Sequence, residues 1–133
     1  MKPSYLFDAS SLVKALKEAK LVPLGGQVLQ WLTIYEVLNV FWEESYLLHR
    51  LSIEEAVSLT RDFTDLVLNM IILEPRGLEH DILQIAVSRG ITAYDASYIA
   101  LARKHGLTLV TEDQILAKAS TNMVKTVSLD DIK

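Results

Sequence analysis

The stretch YLFDASS at residues 5–11 joins a short apolar run to an acid and two serines. A second stretch of the same kind, LTLVTED at residues 107–113, follows late in the chain. Short apolar runs separated by helical patterns are typical of an α/β fold, in which a mainly parallel sheet is covered by helices on both faces. The sequence therefore predicts such a sheet, with Asp8 and Asp113 just beyond the carboxyl ends of two strands.

The remaining elements follow from periodicity and from helix end signals. Further strands are predicted at residues 28–32, 70–73 and 124–129, of which 70–73 is expected to be buried and 124–129 to lie at an edge. Helices are predicted over residues 12–20, 34–50, 52–69, 78–88, 92–105 and 115–119. Ser52 is the expected N-cap of the third helix, and Gly90 and Gly106 are expected to end the fourth and fifth. In such sheets the ligand crevice lies outside the carboxyl ends of the strands.

Composition indicates a compact globular chain and excludes several kinds of site. Of the 133 residues 50% are hydrophobic, so one domain over residues 1–133 has ample apolar surface to bury. The balance of 13 basic and 17 acidic residues gives a net charge of −4, which argues against a broad basic nucleic-acid-binding surface. Without cysteine there are no disulfides, zinc–thiolate sites or cysteine nucleophiles. Glycine-rich phosphate loops, nucleophile elbows and His-Glu-x-x-His motifs are also missing.

No stretch of the sequence is long and apolar enough to span a membrane, since the richest run, residues 70–73, is followed at once by a charge. Near the N-terminus, Lys2 and Asp8 leave no room for the apolar core of a signal peptide. We therefore expect a cytoplasmic protein with no membrane partner.

Two acids of the first half of the chain have both a structural and a functional interpretation. Asp8 is well placed to cap the helix that follows the first strand, because Asp is a preferred N-cap. Glu36, Asn39 and Glu43 recur at helical spacing in an otherwise apolar segment. They form either a narrow solvated stripe on a mostly buried helix or, in the functional interpretation, a pair in which Glu36 and Asn39 face a polar cleft.

Two acids of the second half have the same ambiguity. Asp95 has apolar neighbours at helical spacing, where a carboxylate is costly unless it is paired, coordinated or capping. Thr92 already offers a cap oxygen, which favours a site role for Asp95. Asp113 is a turn or cap residue in the structural interpretation, and its neighbour Glu112 could equally be the acid that points inward.

Together these acids predict carboxylates that reach one crevice from several elements. Two carboxylates ~5 Å apart repel by roughly 3 kcal/mol at an effective dielectric constant near 20. Such a cluster needs a cation, or some of its members must hold protons. Oxygen ligands without cysteine and with few histidines favour Mg²⁺ or Mn²⁺ over Zn²⁺. These ions polarise phosphodiesters and make a hydroxide nucleophile from water.

The sequence resembles the PIN-domain ribonucleases, in particular the VapC-type toxins of bacterial and archaeal toxin–antitoxin pairs. The matching stretches, in order, are LFDAS at residues 6–10, YEVLN at 35–39, AYDASY at 93–98 and LVTED at 109–113. They extend over nearly the whole chain, and the Tyr-Asp-Ala-x-Tyr stretch is the most specific of them.

The resemblance implies a three-layer α/β/α sandwich around a mainly parallel sheet and a metal-dependent endoribonuclease that hydrolyses RNA. The implied catalytic residues and ligands of Mg²⁺ or Mn²⁺ are Asp8, Glu36, Asp95 and Asp113. The implied supporting residues, which act through hydrogen bonds, are Ser10, Asn39 and Thr111. The family pattern favours Asp113 over Glu112 as the inward acid. It also implies a small antitoxin protein as partner, and a homodimer.

Two other classes of function compete with this one. A non-catalytic module that binds RNA or a protein partner would keep the same fold, and the acidic charge balance favours it. A Mg²⁺-binding signalling receiver also gathers acids at strand ends. Receivers normally carry an acid pair after the first strand, whereas here Asp8 alone follows Phe7.

The second helix carries more apolar surface than its own core needs. We expect its late apolar residues to be ordinary core, and a groove for a partner helix or a dimer interface is the alternative. These residues are Phe41, Trp42, Tyr46, Leu47 and Leu48.

Overall fold

The computed structural model describes residues 2–132, and within them five strands and six α-helices. The strands are β1 Tyr5–Phe7, β2 Val28–Gln30, β3 Ile71–Leu73, β4 Thr108–Val110 and β5 Thr126–Val127. The helices are α1 Ala9–Lys17, α2 Trp31–Trp42, α3 Ile53–Leu68, α4 Glu79–Arg89, α5 Ala93–His105 and α6 Gln114–Ala119. A π-helical segment, Glu43–Leu47, continues α2. None of the helices in this part of the chain combines the length and the apolar character that a membrane crossing requires.

All pairs of neighbouring strands are parallel, and their order across the sheet is β3-β2-β1-β4-β5. The chain therefore builds one half of the sheet outward from β1 and then returns to build the other half. The order reverses between β1 and β4, and a crevice opens at the carboxyl ends of strands at such a point. The predicted parallel α/β fold is confirmed.

Alternating side chains of the central strands divide the core into two layers. In β1, Leu6 packs with residues of α4, α5 and α6, while Phe7 packs with residues of α1, α2 and α3. β4 repeats the alternation with Leu109 and Val110. Both faces of the sheet are therefore covered by helices, which confirms the predicted three-layer α/β/α sandwich.

Several predicted helix ends are confirmed by hydrogen bonds and backbone angles. The Ser52 hydroxyl accepts from the backbone N–H of Glu55, and the Glu55 carboxylate accepts from the N–H of Ser52. Gly90 and Gly106 end α4 and α5 in the left-handed region, with φ of 67° and 65°. A residue with a Cβ would be strained in this backbone conformation, whereas glycine adopts it without strain.

Three predicted boundaries are displaced. α1 begins at Ala9 instead of residue 12, because Asp8 itself is the N-cap. The second strand ends at Gln30, and α2 begins directly after it at Trp31. The helix predicted over 34–50 stops being α-helical at Trp42 and becomes π-helical.

The prediction that residues 70–73 form a buried strand is wrong. β3 lies at an edge of the sheet, and Ile71 is 44% exposed. An apolar run of this length indicates a strand, but it carries no information about the strand's place in the sheet.

The prediction that the late apolar residues of the second helix are ordinary core is also wrong for most of them. Phe41 is buried, whereas Trp42 is 49% and Tyr46 is 68% exposed. Leu47 and Leu48 are about half exposed as well. Nor is α2 mostly buried, since Tyr35 is exposed too.

Candidate active site

Asp8 lies at the carboxyl end of β1 and is buried, with 5% of its surface exposed. Its Oδ1 accepts hydrogen bonds from the backbone N–H of Ser11 at 2.9 Å and from the Ser10 hydroxyl at 2.8 Å. Its Oδ2 accepts from the Thr111 hydroxyl. The cap interpretation of Asp8 is thus confirmed, but capping uses only one of these hydrogen bonds.

The turn after β4 is attached to Asp8 by two hydroxyl groups. The backbone N–H of Glu112 donates to Ser10 Oγ at 2.9 Å, and the N–H of Asp113 donates to Thr111 Oγ1 at 3.0 Å. Each hydroxyl passes its own hydrogen on to the Asp8 carboxylate. The carboxyl ends of β1 and β4 are therefore joined by two short relays from a backbone N–H to one carboxylate.

Glu112 and Asp113 are neighbours in sequence, but their carboxylates have different surroundings. Glu112 accepts from the Lys14 ammonium at 3.2 Å and from the backbone N–H of Leu129 at 2.8 Å. Asp113 caps α6, and its charge raises the pKa of Asp95. The Glu112 carboxylate is thus paired with the Lys14 ammonium, while the charge of Asp113 affects the pKa of Asp95.

Glu36 lies on α2, partly buried, and its Oε1 accepts from the Tyr98 hydroxyl at 2.5 Å. Burial raises the pKa of Glu36, and the charges of Asp8 and Asp95 raise it further. The hydrogen bond from Tyr98 partly opposes that rise in pKa. Glu36 is therefore partly buried and within reach of the charges of two other carboxylates, and a simple solvated stripe does not describe it.

Asp95 lies in the first turn of α5, where Thr92 caps its backbone N–H at 3.1 Å. Burial raises the pKa of Asp95, followed by the charges of Asp113 and Asp8. Burial also raises the pKa of Asp8 itself, against the hydrogen bonds from Thr111 and its other donors. Because Thr92 caps α5, the Asp95 carboxylate is not needed for that purpose.

These contacts and couplings bring Asp8, Glu36, Asp95 and Asp113 together as one acid group at the switch point of the sheet. The charges of neighbouring carboxylates add to burial in raising the pKa values of Glu36 and Asp95, and a cation would relieve this repulsion. An all-oxygen donor set fits Mg²⁺ or Mn²⁺. Within residues 2–132, however, no three acids or histidines come close enough to hold one ion in common. The donors therefore fit such an ion in their chemistry, and their side chains would have to close around it.

A groove of about 710 Å³ adjoins the acid group along α2. Glu36 and Asn39 form part of its wall, together with the aromatic side chains of Tyr35, Trp42 and Tyr94. Asn39 is exposed in this groove, and in the described part of the chain it makes no hydrogen bond to the acid group. It lies beside Glu36 in the wall and does not support the acids by a hydrogen bond.

Tyr98 is a site residue for which the sequence analysis predicted no role. It lies within the AYDASY stretch, one helical turn after Asp95, and is 1% exposed. That spacing puts both side chains on the same face of α5. Helical spacing from Asp95 was therefore the available signal, although it does not identify Glu36 as the partner.

Comparison with known proteins agrees with this fold. The sequence model of the PIN domain family matches residues 5–122. Exonuclease VapC9 from Pyrobaculum aerophilum is 36% identical over 121 residues, which are 89% of this chain and 87% of that protein. Ribonuclease VapC3 from the same organism is 32% identical over 89 residues, which are 65% of this chain and 66% of that protein.

Two solved structures share the fold. The crystal structure of PAE2754 from Pyrobaculum aerophilum has a TM-score of 0.80 and 30% sequence identity, and the match covers 98% of this chain and 94% of that one. DNA-bound VapBC from Salmonella typhimurium has a TM-score of 0.66 at 12% identity, covering 96% of this chain and 98% of that one. At that identity the likeness concerns the fold alone.

The fold and the acid group define this chain as a PIN protein, and it belongs to the PIN domain family. Within the family it is of the VapC type, as its relatives are. The resemblance inferred from the four sequence stretches is thereby confirmed.

Proposed function

We propose that the protein is a metal-dependent nuclease that hydrolyses phosphodiester bonds in RNA, as the toxin of a toxin–antitoxin pair. The main support is the acid group at the crevice of the sheet, where burial and the charges of neighbouring carboxylates raise the pKa values of Glu36 and Asp95. The relatives named Exonuclease VapC9 and Ribonuclease VapC3 support the reaction class.

In this proposal Mg²⁺ or Mn²⁺ is held by Asp8, Glu36, Asp95 and Asp113. The ion, when bound, polarises the phosphodiester and supplies a hydroxide nucleophile. The chain's own contribution is the placement of its carboxylates. Asp8 is held by several hydrogen bonds, while Glu36 is partly exposed and has room to adjust.

The supporting residues have different parts in the proposal. Ser10 and Thr111 orient Asp8 through the two relays. Asn39 lies in the groove beside Glu36, where its amide would contact a bound RNA strand. The family's pattern had implied one supporting role for all three, and we now separate Asn39 from the other two.

We further propose internal cleavage, although one relative carries the name exonuclease. The groove next to the acid group is bordered by exposed side chains, among them Tyr35 and Tyr94. An RNA strand could therefore lie along the groove without placing its own terminus at the acid group. Circular single-stranded RNA distinguishes the two modes, because only an endonuclease opens a circle.

The test incubates the purified protein with circular RNA and with end-labelled linear RNA of the same sequence, each with Mn²⁺ or with EDTA. We expect the circle to open with Mn²⁺ and to stay closed with EDTA. Asp8→Asn should lower the rate by about a hundredfold or more, because the loss of metal-based charge stabilisation amounts to several kcal/mol. Asp62→Asn, at an exposed acid of α3, is the matched control and should cleave normally.

Cleavage that survives EDTA, or an Asp8→Asn variant as active as the wild type, would refute the metal-dependent assignment. Trimming of the linear RNA from one end, with the circle intact, would instead make the protein an exonuclease.

The second candidate function is a non-catalytic module that binds RNA or a partner. The observation in its favour is that, in the part of the chain that the structure describes, no three acids or histidines approach closely enough to share an ion. RNA binding that needs no metal and leads to no cleavage would establish this alternative.

We also propose that the protein forms a homodimer and binds a small antitoxin protein. Its proposed location is the cytoplasm. Support comes from a second, apolar groove of about 800 Å³ between the end of α2 and α3, lined by Phe41, Trp42, Tyr46, Ile53 and Val57 among others. Exposed apolar surface of this kind marks interaction sites. Light scattering of the purified protein tests the dimer, and inhibition of its nuclease activity by the product of a neighbouring small reading frame tests the antitoxin.

A further inference from the structure

Tyr98 connects the helix that carries Asp95 to the helix that carries Glu36. Its side chain is buried, and its hydroxyl oxygen lies 2.5 Å from Glu36 Oε1 and 2.8 Å from Thr33 Oγ1. A hydroxyl this deeply buried requires hydrogen-bond partners, and here both partners come from α2.

The direction of these hydrogen bonds follows from the number of hydrogens available. An ionised carboxylate only accepts, so the Tyr98 hydrogen goes to Glu36. The Tyr98 oxygen then accepts the hydrogen of Thr33. Thr33 Oγ1 in turn accepts from the backbone N–H of Gln30 at 3.3 Å. The result is a relay that starts at a backbone N–H and ends at the Glu36 carboxylate.

A second buried contact holds the two helices in register. Gln30 Nε2 donates to Ser97 Oγ at 2.8 Å, and the Ser97 hydroxyl donates to the backbone carbonyl of Tyr94 at 2.6 Å. Gln30 and Ser97 are both buried. The junction of β2 and α2 is therefore tied to α5 at two successive residues, Ser97 and Tyr98, which limits rotation of either helix.

We propose that Tyr98 is a positioning residue that holds the Glu36 carboxylate beside Asp95, ready to bind a divalent cation. Among residues 2–132, the hydrogen bond to the Glu36 carboxylate is the one from Tyr98, and it engages Oε1. Oε2 accepts no hydrogen bond from these residues. The cation part of this inference rests on the nuclease function proposed above, whereas the positioning of Glu36 does not.

The first measurement is the affinity of the protein for Mn²⁺. The electron paramagnetic resonance signal of the free ion reports how much Mn²⁺ remains unbound. Tyr98→Phe should weaken binding about tenfold, because loss of the partner that orients a metal ligand typically has that effect. Tyr5→Phe removes the same atom from a tyrosine of β1 and should bind Mn²⁺ like the wild type. Thr33→Val interrupts the relay one step earlier and should weaken binding by a smaller factor.

A double-mutant cycle separates positioning from general damage. If Tyr98 acts through Glu36, Tyr98→Phe should add no further loss of affinity in a Glu36→Ala background, where no oxygen is left to accept from Tyr98. A purely structural loss would multiply with that of Glu36→Ala. Thermal unfolding identifies any variant that fails to fold, and Thr33→Val then replaces Tyr98→Phe in the cycle.

The second measurement needs no metal. ¹³C relaxation of the Glu36 side chain in the metal-free protein should give a lower order parameter in Tyr98→Phe than in the wild type and in Tyr5→Phe. If the wild type binds no Mn²⁺ but Glu36 loses order in Tyr98→Phe, the nuclease function fails and the positioning role stands. If the wild type binds Mn²⁺ and cuts RNA while Tyr98→Phe changes neither affinity nor order, the positioning role is overturned.

Discussion

Asp8 and Glu36 represent two halves of the acid group that are held in different ways. Asp8 is buried and accepts from Ser10, Ser11 and Thr111, all of which adjoin the ends of β1 and β4. Glu36 is partly exposed on a helix and accepts from Tyr98 alone among residues 2–132. The strand-end half is thus preorganised by neighbouring backbone, whereas the helical half depends on one contact between α2 and α5.

The largest expected effect comes from removing an acid of the strand-end half while sparing its neighbour. Asp113→Asn should lower the Mn²⁺-dependent cleavage rate by about a hundredfold or more, through loss of an anionic ligand. Glu112→Gln should leave the rate within about twofold, because its carboxylate is engaged by Lys14. It should lower the free energy of unfolding only slightly, as expected for a partly exposed ion pair. The reverse pattern of rates would make Glu112 the functional acid.

A smaller effect is expected when a relay to Asp8 is broken without touching an acid. Thr111→Val keeps the shape but leaves Asp8 Oδ2 and the N–H of Asp113 without this partner. The free energy of unfolding in urea should fall by about 2 kcal/mol, and cleavage should fall about tenfold. Thr111→Ser restores the hydroxyl and should recover most of both. If Thr111→Val were as stable and active as Thr111→Ser, the preorganisation of Asp8 would be refuted.

Glu36→Gln should change activity and stability in opposite directions. The amide oxygen still accepts from Tyr98, but the repulsion with Asp8 and Asp95 is lost. Because the site is partly exposed and the repulsion is screened, the midpoint of thermal unfolding of the metal-free protein should rise by only about 2–4 °C. Cleavage should fall at the same time. A lower midpoint would mean that Glu36 contributes to stability and does not oppose it.

The smallest expected effect is a pH dependence of the metal-free protein. Asp8, Glu36 and Asp95 have raised pKa values in the folded state, so the folded protein binds more protons than the unfolded chain just above their ordinary pKa range. Its free energy of unfolding should therefore rise as the pH falls from 7 toward about 4.5.

Below that range the trend should reverse. Glu55 and Asp130 have lowered pKa values, through hydrogen bonds with Ser52 and Lys14, and their contribution is lost as they are protonated. Urea unfolding at a series of pH values measures both limbs. Saturating Mn²⁺ should abolish the rise in the free energy of unfolding between pH 7 and about 4.5, because binding keeps the carboxylates ionised. If the free energy of unfolding of the metal-free protein did not change between pH 7 and about 4.5, the raised pKa values of the acids would be contradicted.

Much of the fold could be predicted because its signals are local. Short apolar runs identified the strands, the Ser52 cap began α3 where expected, and Gly106 ended α5. The place of Asp8 and Asp113 followed from the general rule for parallel sheets. The exposed Trp42 and the edge position of β3 could not be predicted, because apolar residues look alike whether a neighbouring element covers them or not.

By itself, the sequence determined the parallel α/β architecture, the PIN family and the acids that follow its strands, since strand, cap and turn preferences act over a few neighbouring residues. Only the tertiary structure decided that Tyr98 reaches Glu36 across 62 positions and that Lys14 draws Glu112 aside across 98. Such contacts depend on strand order and on the packing of helices over the sheet. Local preferences leave both of these open, and so the surroundings of each carboxylate emerge only once the layers are assembled.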